Sequence, residues 1–407
     1  MTMAHDTMSP GAHPIGVIGA GAMGSGIALV AAMHGHPVVL ADAHPGAVAR
    51  ARDGHVKALA RDVDKGRLTR DDAEAALARL RYVDGVEGEA LAAFAPCGFV
   101  IEAIIEQLGA KQALFRALES VVAPTAILAT NTSSLSIAAI AGACTHRDRV
   151  IGVHFFNPAT VMPLVEIIPA ITTSPEVVAQ SRQLVVAWRK VVVIAADTPG
   201  FLVNRVARPF YGEALRMLED GVADCATIDW AMRTIGGFRM GPFELMDFIG
   251  HDVNFAVTRS VFEGMFHDPR YRPSIPQQRL LEAGWLGRKS GRGFYSYAEG
   301  CAAPAPTEDG ELGQQIVDRV LAMLVNEAVD AVHLRLASAA DVELAMTTGV
   351  NYPRGLLTWG DQLGAATVLA RLDALLAFTG DMRYRASVRL RRAAASGTAL
   401  RSDVADG

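Results

Sequence analysis

His154 and Glu166 stand in a run of otherwise apolar residues, Gly152-Val153-His154-Phe155-Phe156-Asn157-Pro158 followed by Met162-Pro163-Leu164-Val165-Glu166-Ile167-Ile168. His154 ends one apolar strand. Glu166 lies inside another, on the face of Leu164 and Ile168 if the period is two. A carboxylate in so apolar a strand is costly to bury without a partner, and a strand–turn–strand returns it to His154. A His–carboxylate pair fixes the imidazole tautomer and stabilises the imidazolium, which a general base for an alcohol requires. Taken alone, the two residues read equally as a satisfied core histidine and a glutamate at a strand edge. What favours catalysis is a second constellation earlier in the chain.

That constellation is Val17-Ile18-Gly19-Ala20-Gly21-Ala22-Met23-Gly24-Ser25-Gly26, then Pro37-Val38-Val39-Leu40-Ala41-Asp42. An apolar strand enters glycines at the G-x-G-x-x-G spacing, a small-residue helix follows, and a second strand ends in an acid. Gly19 permits the tight turn, Gly21 admits a pyrophosphate to the backbone, and Gly24 lets helix and strand pack closely. The backbone of Ala22 and Met23 opens the helix, where unpaired N–H groups meet phosphates. Asp42, 18 residues after Gly24, is placed to take ribose hydroxyls and to repel a 2′-phosphate, so the expected cofactor is NAD. Ser133, in Thr130-Asn131-Thr132-Ser133-Ser134, follows an apolar run at what should be a strand's carboxyl end. Asn204, in Pro199-Gly200-Phe201-Leu202-Val203-Asn204-Arg205, falls in the first turns of a helix. Their bland readings are a helix cap and a solvated helix position.

The elements that must hold these residues are legible from periodicity. Apolar strands at 15–18, 38–41, 99–103, 126–129 and 150–153 alternate with helical stretches at 47–65, 70–80 and 111–121. That alternation predicts a Rossmann-type α/β domain with a doubly wound, mostly parallel sheet. Past Pro199 the pattern is helical. A shift of 114 residues aligns Arg205 with Arg319, Glu213-Ala214 with Glu327-Ala328, Ala231-Met232 with Ala345-Met346, Gly241 with Gly355, Asp247 with Asp361 and Gly250 with Gly364. Two unrelated amphipathic helices share a period, not Gly and Asp positions, so the helical domain is duplicated. The expected domains are 13–196 for the cofactor, 197–298 for a helical substrate or dimerisation domain, 299–312 for a linker, and 313–393 for a degenerate second copy. In that copy Asp318 replaces Asn204 and the Pro-Gly-Phe lead-in is missing, so its role is expected to be structural.

Composition narrows the function classes. The 407 residues are 51% hydrophobic and 20% charged, with net charge −5, which argues against a nucleic-acid or anionic-membrane partner. No run reaches the roughly 18 apolar residues of a membrane helix. The start of the chain carries no signal-peptide pattern, and four scattered cysteines fit a reducing cytoplasm without a metal site.

Together these motifs resemble the L-3-hydroxyacyl-CoA dehydrogenase family, from residue 15 to 297. The likeness rests on Gly19-x-Gly21-x-x-Gly24, Ile101-Glu102-Ala103-Ile104-Ile105-Glu106, Asn131-Thr132-Ser133-Ser134, His154-Phe155-Phe156-Asn157-Pro158 and Pro199-Gly200-Phe201-Leu202-Val203-Asn204-Arg205. Duplication of the helical domain resembles bacterial members acting on 3-hydroxyadipyl-CoA or 3-hydroxybutyryl-CoA. The resemblance implies that His154 takes the hydroxyl proton while hydride passes to NAD, that Glu166 orients it, and that Ser133 and Asn204 hold the substrate oxygen. It also implies cofactor contacts at Glu106, Lys111 and Asn131, and an acyl-CoA substrate. Single-copy relatives pair these helical domains across a dimer, so here the copies are expected to pair within one chain, as a monomer or within a homodimer. A dicarboxylic substrate would want a cation at its far end, for which Arg205, Arg208 and Arg239 are candidates. The family's Gly-Lys before the last strand of the cofactor domain reads Arg189-Lys190 here. Two other readings are a dehydrogenase of a free 3-hydroxy acid and a non-catalytic dinucleotide-binding protein. The first would need a cationic anchor, and no Arg or Lys lies between His154 and Glu166.

Overall fold

A computed structural model of the chain describes residues 13–302 and 304–402, in two compact units that meet between Asp197 and Thr198. The first is built on eight strands: β1 (Ile15–Ile18), β2 (Val38–Asp42), β3 (Leu80–Asp84), β4 (Phe99–Glu102), β5 (Ile127–Thr130), β6 (Val150–Phe155), β7 (Leu164–Pro169) and β8 (Val191–Ile194). Their order in the sheet is β3-β2-β1-β4-β5-β6-β7-β8. Each neighbouring pair is parallel except β6 with β7, which run antiparallel. The helices are α1 (Ala22–Met33), α2 (Ala47–Asp64), α3 (Arg70–Ala78), α4 (Gly88–Ala92), α5 (Leu108–Glu119), α6 (Ile137–Ala141) and α7 (Pro175–Ala187). Every residue of β1, β2, β4, β5 and β6 is buried, as a parallel sheet covered on both faces requires. The edge strand β3 escaped the sequence reading, while β8 entered it only as the strand that the family resemblance puts after Arg189-Lys190. Leu80-Arg81-Tyr82-Val83-Asp84 buries only its first residue and has no apolar run, so the helical pattern before it absorbed Leu80.

The second unit is helical. The first copy comprises α8 (Val203–Val206), α9 (Arg208–Glu219), α10 (Cys225–Trp230) prolonged by a π-helical turn at Ala231–Ile235, α11 (Pro242–Ile249), α12 (His251–Gly264) and α13 (Ile275–Glu282). The second comprises α14 (Gly310–His333), α15 (Ala339–Gly349), α16 (Leu356–Leu363), α17 (Ala365–Thr379) and α18 (Val388–Ser396). The correspondence extends to the details of capping. Asp229 accepts the Phe243 and Glu244 N–H groups at the start of α11, both at 2.9 Å. Glu343, 114 residues on, accepts those of Leu357 and Thr358 at the start of α16, at 2.7 and 3.2 Å. Gly250 (φ 99°) and Gly364 (φ 86°) make the same left-handed bend before α12 and α17. One difference has a local cause: Pro209 cannot donate to the Arg205 carbonyl, so α8 and α9 are separate where α14 runs unbroken.

The copies pack on each other, chiefly α9 against α14, around reciprocal buried ion pairs. Arg205 Nε donates to Glu327 at 2.9 Å, and Arg319 Nε donates to Glu213 at 3.0 Å. The Tyr271 hydroxyl joins Glu327 and the Tyr384 hydroxyl joins Glu213. Arg270 and Arg383 complete the two clusters. Residue i meeting j while the counterpart of j meets the counterpart of i is the logic of a two-fold interface, here contained in one chain. No single helix among the described residues is long and apolar enough to cross a membrane.

Candidate active site

The sheet changes direction between β1 and β4, and the loops leaving the carboxyl ends of those strands form the crevice where open α/β sheets take ligands. Gly19 has φ +101°, and a Cβ there would stand 2.4 Å from the Ala103 carbonyl. A Cβ at Gly24 would lie 1.8 Å from the Gly19 carbonyl, whereas Gly21 has nothing within 4 Å. The first and third glycines thus close the turn and the second leaves its backbone open. Helix α1 starts at Gly21 with no side-chain cap, so the N–H groups of Ala22 and Met23 face the opening. Asp42 accepts the Ala20 N–H at 2.6 Å and the His44 N–H at 2.7 Å, which aims its carboxylate at the loop. A pocket of about 420 Å³ is lined by Ala20, Gly21, Ala22, Ser25 and Asp42, with Arg50 on its rim. An open backbone, unpaired N–H groups and an aimed acid fit the pyrophosphate and ribose of a dinucleotide.

Beneath this loop is a support that the sequence reading missed. Buried His55 on α2 reaches the Ser25 carbonyl through Nε2 at 2.9 Å and Tyr82 through Nδ1 at 2.8 Å. A carbonyl only accepts, so Nε2 carries the proton and Nδ1 accepts from the tyrosine. Burial holds His55 below the usual histidine range, against the opposing pull of the Ser25 carbonyl. Its position inside an amphipathic helix offered no signal of this role.

His154 and Glu166 are direct cross-strand partners in the antiparallel β6–β7 pair. His154 Nδ1 and Glu166 Oε2 are 2.7 Å apart, with His154 6% and Glu166 0% exposed. The reversal at β7 achieves this, because it returns the start of that strand to the carboxyl end of β6. With Nδ1–H donated to the carboxylate, Nε2 is the acceptor nitrogen of the ring. Asn131 anchors the same segment by accepting the Phe155 N–H at 2.8 Å. Lys190 donates to the Ala159 and Met162 carbonyls at 2.6 and 2.9 Å, clasping the loop between the two strands.

Ser133 is held by Glu106. One Glu106 oxygen accepts the Thr132 hydroxyl at 2.6 Å, the Ser133 N–H at 2.9 Å and the Ser134 hydroxyl at 3.0 Å. The other faces Lys111 Nζ at 3.2 Å. Burial works to raise the Glu106 carboxyl, but Lys111 and the donors of Thr132, Ser133 and Ser134 outweigh it and hold the group below its ordinary 4.5. Lys111 is itself 1% exposed and lies 2.5 Å from Glu102, which is fully buried and also accepts the Thr130 hydroxyl. In the described structure Lys111 therefore bridges Glu102 and Glu106. Glu102 was not singled out from the sequence. Its signal was an acid closing an all-apolar strand, the same signal that marked Asp42. Asn204 lies on α8 of the second unit, half-buried. Its counterpart Asp318 pairs with Arg371.

Two family profiles match the chain. The 3-hydroxyacyl-CoA dehydrogenase NAD binding domain covers residues 14–198, and the corresponding C-terminal domain covers residues 200–297 and again 316–405. A 3-hydroxyadipyl-CoA dehydrogenase of Escherichia coli is 39% identical across 93% of this chain and 97% of its own. A 3-hydroxybutyryl-CoA dehydrogenase of Bradyrhizobium diazoefficiens is 41% identical but aligns with only 72% of this chain while using 97% of its own. A crystal structure of a 3-hydroxybutyryl-CoA dehydrogenase from Escherichia coli superposes with TM-score 0.88 at 38% identity, covering 94% of this chain and 98% of that one.

Proposed function

This chain belongs to the 3-hydroxyacyl-CoA dehydrogenase family, and we propose that its His154–Glu166 pair performs the proton transfer of an NAD-dependent oxidation of a 3-hydroxyacyl-CoA to the 3-oxoacyl-CoA. The observation that carries this reading is the 2.7 Å contact between His154 Nδ1 and Glu166 beside a dinucleotide loop. It supplies a base whose acceptor nitrogen is Nε2. His154 Nε2 takes the proton of the C3 hydroxyl, and Glu166 stabilises the imidazolium through Nδ1–H. NAD, when bound, would supply the acceptor for the hydride that leaves C3. The loop from Gly19 to Gly24 would hold its pyrophosphate and Asp42 its ribose, with Glu106, Lys111 and Asn131 read as the residues that would shape the rest of its site. Ser133 holds the substrate oxygen so that the C3–H bond is aimed correctly, and Asn204 is the contact read for that oxygen on the helical unit. In the reverse direction His154 is the acid. The acyl group is of the four- to six-carbon class named for the relatives, and the enzyme is read as cytoplasmic, with its cysteines free.

NADH formation by the pure protein tests the reading, with L-3-hydroxybutyryl-CoA and L-3-hydroxyadipyl-CoA as substrates and NADP⁺ as the control cofactor. Turnover with NAD⁺ and at most feeble turnover with NADP⁺ is expected. Absence of turnover with either substrate overturns the reaction class for these acyl chains. Equal use of NADP⁺ overturns the role of Asp42.

A further inference from the structure

Ser25 lies early in α1, where a serine hydroxyl can bond back to the carbonyl four residues before it. Here the Gly21 carbonyl takes the Ser25 N–H at 2.9 Å, and the Ser25 hydroxyl oxygen stands 2.8 Å from His55 Nε2 instead. The same Nε2 lies 2.9 Å from the Ser25 carbonyl, which only accepts, so Nε2 bears the ring proton. One N–H therefore faces two oxygens of Ser25, a three-centre arrangement common near helix termini. From the other side the Tyr82 hydroxyl meets Nδ1 at 2.8 Å and donates to it. Burial pushes Tyr82 up to about 12, so its hydroxyl keeps the proton it donates. Burial also holds His55 below the usual histidine range, which keeps the ring neutral.

The count of protons then fixes the direction of the Ser25 hydroxyl. Its oxygen accepts from His55, and no acceptor for its hydrogen stands among the described residues. Ser25 is half-buried and lines the pocket of about 420 Å³ beside Gly21 and Asp42. Of the other side chains around that pocket, the Asp42 carboxylate only accepts, His44 and Arg50 are exposed, and the rest are alanine. Ser25 brings the one hydroxyl to it, with the oxygen engaged from behind and the hydrogen left to the pocket.

We propose that Ser25 is a further contact for the dinucleotide, its hydroxyl donating to an oxygen of the cofactor, and that His55, held by Tyr82, positions it. This rests on the cofactor reading above. The donors run in one direction, from Tyr82 to His55 to Ser25 and on to the ligand, and bonds chained in this way polarise one another. A serine hydroxyl that rotates freely gives up that freedom when a ligand binds. His55 settles the hydroxyl beforehand, which lowers the cost of binding. The three residues come from α1, α2 and β3, so the cofactor helix is tied to the edge of the sheet.

The test is calorimetric titration of the intact protein with NAD⁺ in the absence of substrate. Ser25→Ala should weaken binding about fivefold, the size of one neutral hydrogen bond. His55→Leu should weaken it as much, and the double variant no more than either alone, because both act through one hydroxyl. His55→Gln, which returns an N–H donor to the site, should recover most of the loss. Ser25→Ala that binds within twofold of wild type overturns the contact. Single losses that multiply in the double variant overturn the positioning role, since His55 then acts on the helix and not through the hydroxyl. If His55→Leu does not fold, Ser25→Ala decides alone, being the loss of one oxygen at a position that suits alanine. A wild type that binds no NAD⁺ indicts the cofactor reading instead.

Discussion

The chemistry at the residue scale is a proton acceptor built from two buried side chains, and its loss should separate catalysis from cofactor binding. His154→Ala is expected to lower kcat by about 10²–10⁴-fold with NAD affinity nearly unchanged, read by stopped assay and fluorescence titration. Weak NAD binding in that variant would instead make His154 part of the cofactor site. Glu106 carries a pH signature. Its folded pKa lies below 4.5, so the stability it contributes is fully present above the unfolded value and fades as pH falls through the folded one. Urea unfolding of Glu106→Gln should therefore show a deficit at pH 7 that closes below about pH 4; a deficit constant with pH would remove the charge from the explanation. The dyad was legible in the sequence because a lone carboxylate in an apolar strand demands a partner. The Ser25–His55–Tyr82 contacts were not, because a histidine on a helix reveals its neighbours only once α2 is laid on α1.

Among the elements, the turn between α7 and β8 holds a strain that can be measured. Arg189 sits at φ +56°, in the left-handed region, where the family pattern has glycine. Its N–H still bonds to the Val186 carbonyl at 2.9 Å, so the turn persists with a poorer residue in it. Arg189→Gly should raise stability by about 0.5–1 kcal/mol, the left-handed penalty less the extra freedom of unfolded glycine. A fall in the denaturant midpoint would show that the Arg189 side chain contributes more than its backbone costs. The central strands were readable from composition, being apolar throughout. The edge strand β3 was not, since only the first of its residues is buried and a short mixed segment after a helix looks like more helix. The 114-residue register was readable from Gly and Asp positions, and two of those residues, Gly250 and Gly364, prove to be positive-φ bends that favour glycine.

The whole molecule hinges on the seam between the helical copies. Glu327→Ala removes the acid that Arg205 and Arg270 share and leaves Asp330 to answer both, 3.7 and 3.1 Å away, at an expected cost of about 3 kcal/mol in chemical denaturation. Deleting residues 300–407 uncovers the face of α8 and α9 that carries Arg205 and Glu213, and light scattering should then find dimers or aggregates in place of the full-length assembly. A soluble truncated chain with unchanged assembly would show that the seam is dispensable. That seam joins parts of one covalent chain, and two thermodynamic properties follow. An interface between separate subunits loosens on dilution by mass action, whereas this one is closed at an effective concentration set by the connecting segment and is indifferent to how much protein is present. In a symmetric pair, moreover, every mutation strikes both sides at once. Here each side mutates alone, so the second copy carries Asp318, paired with Arg371, where the first keeps Asn204.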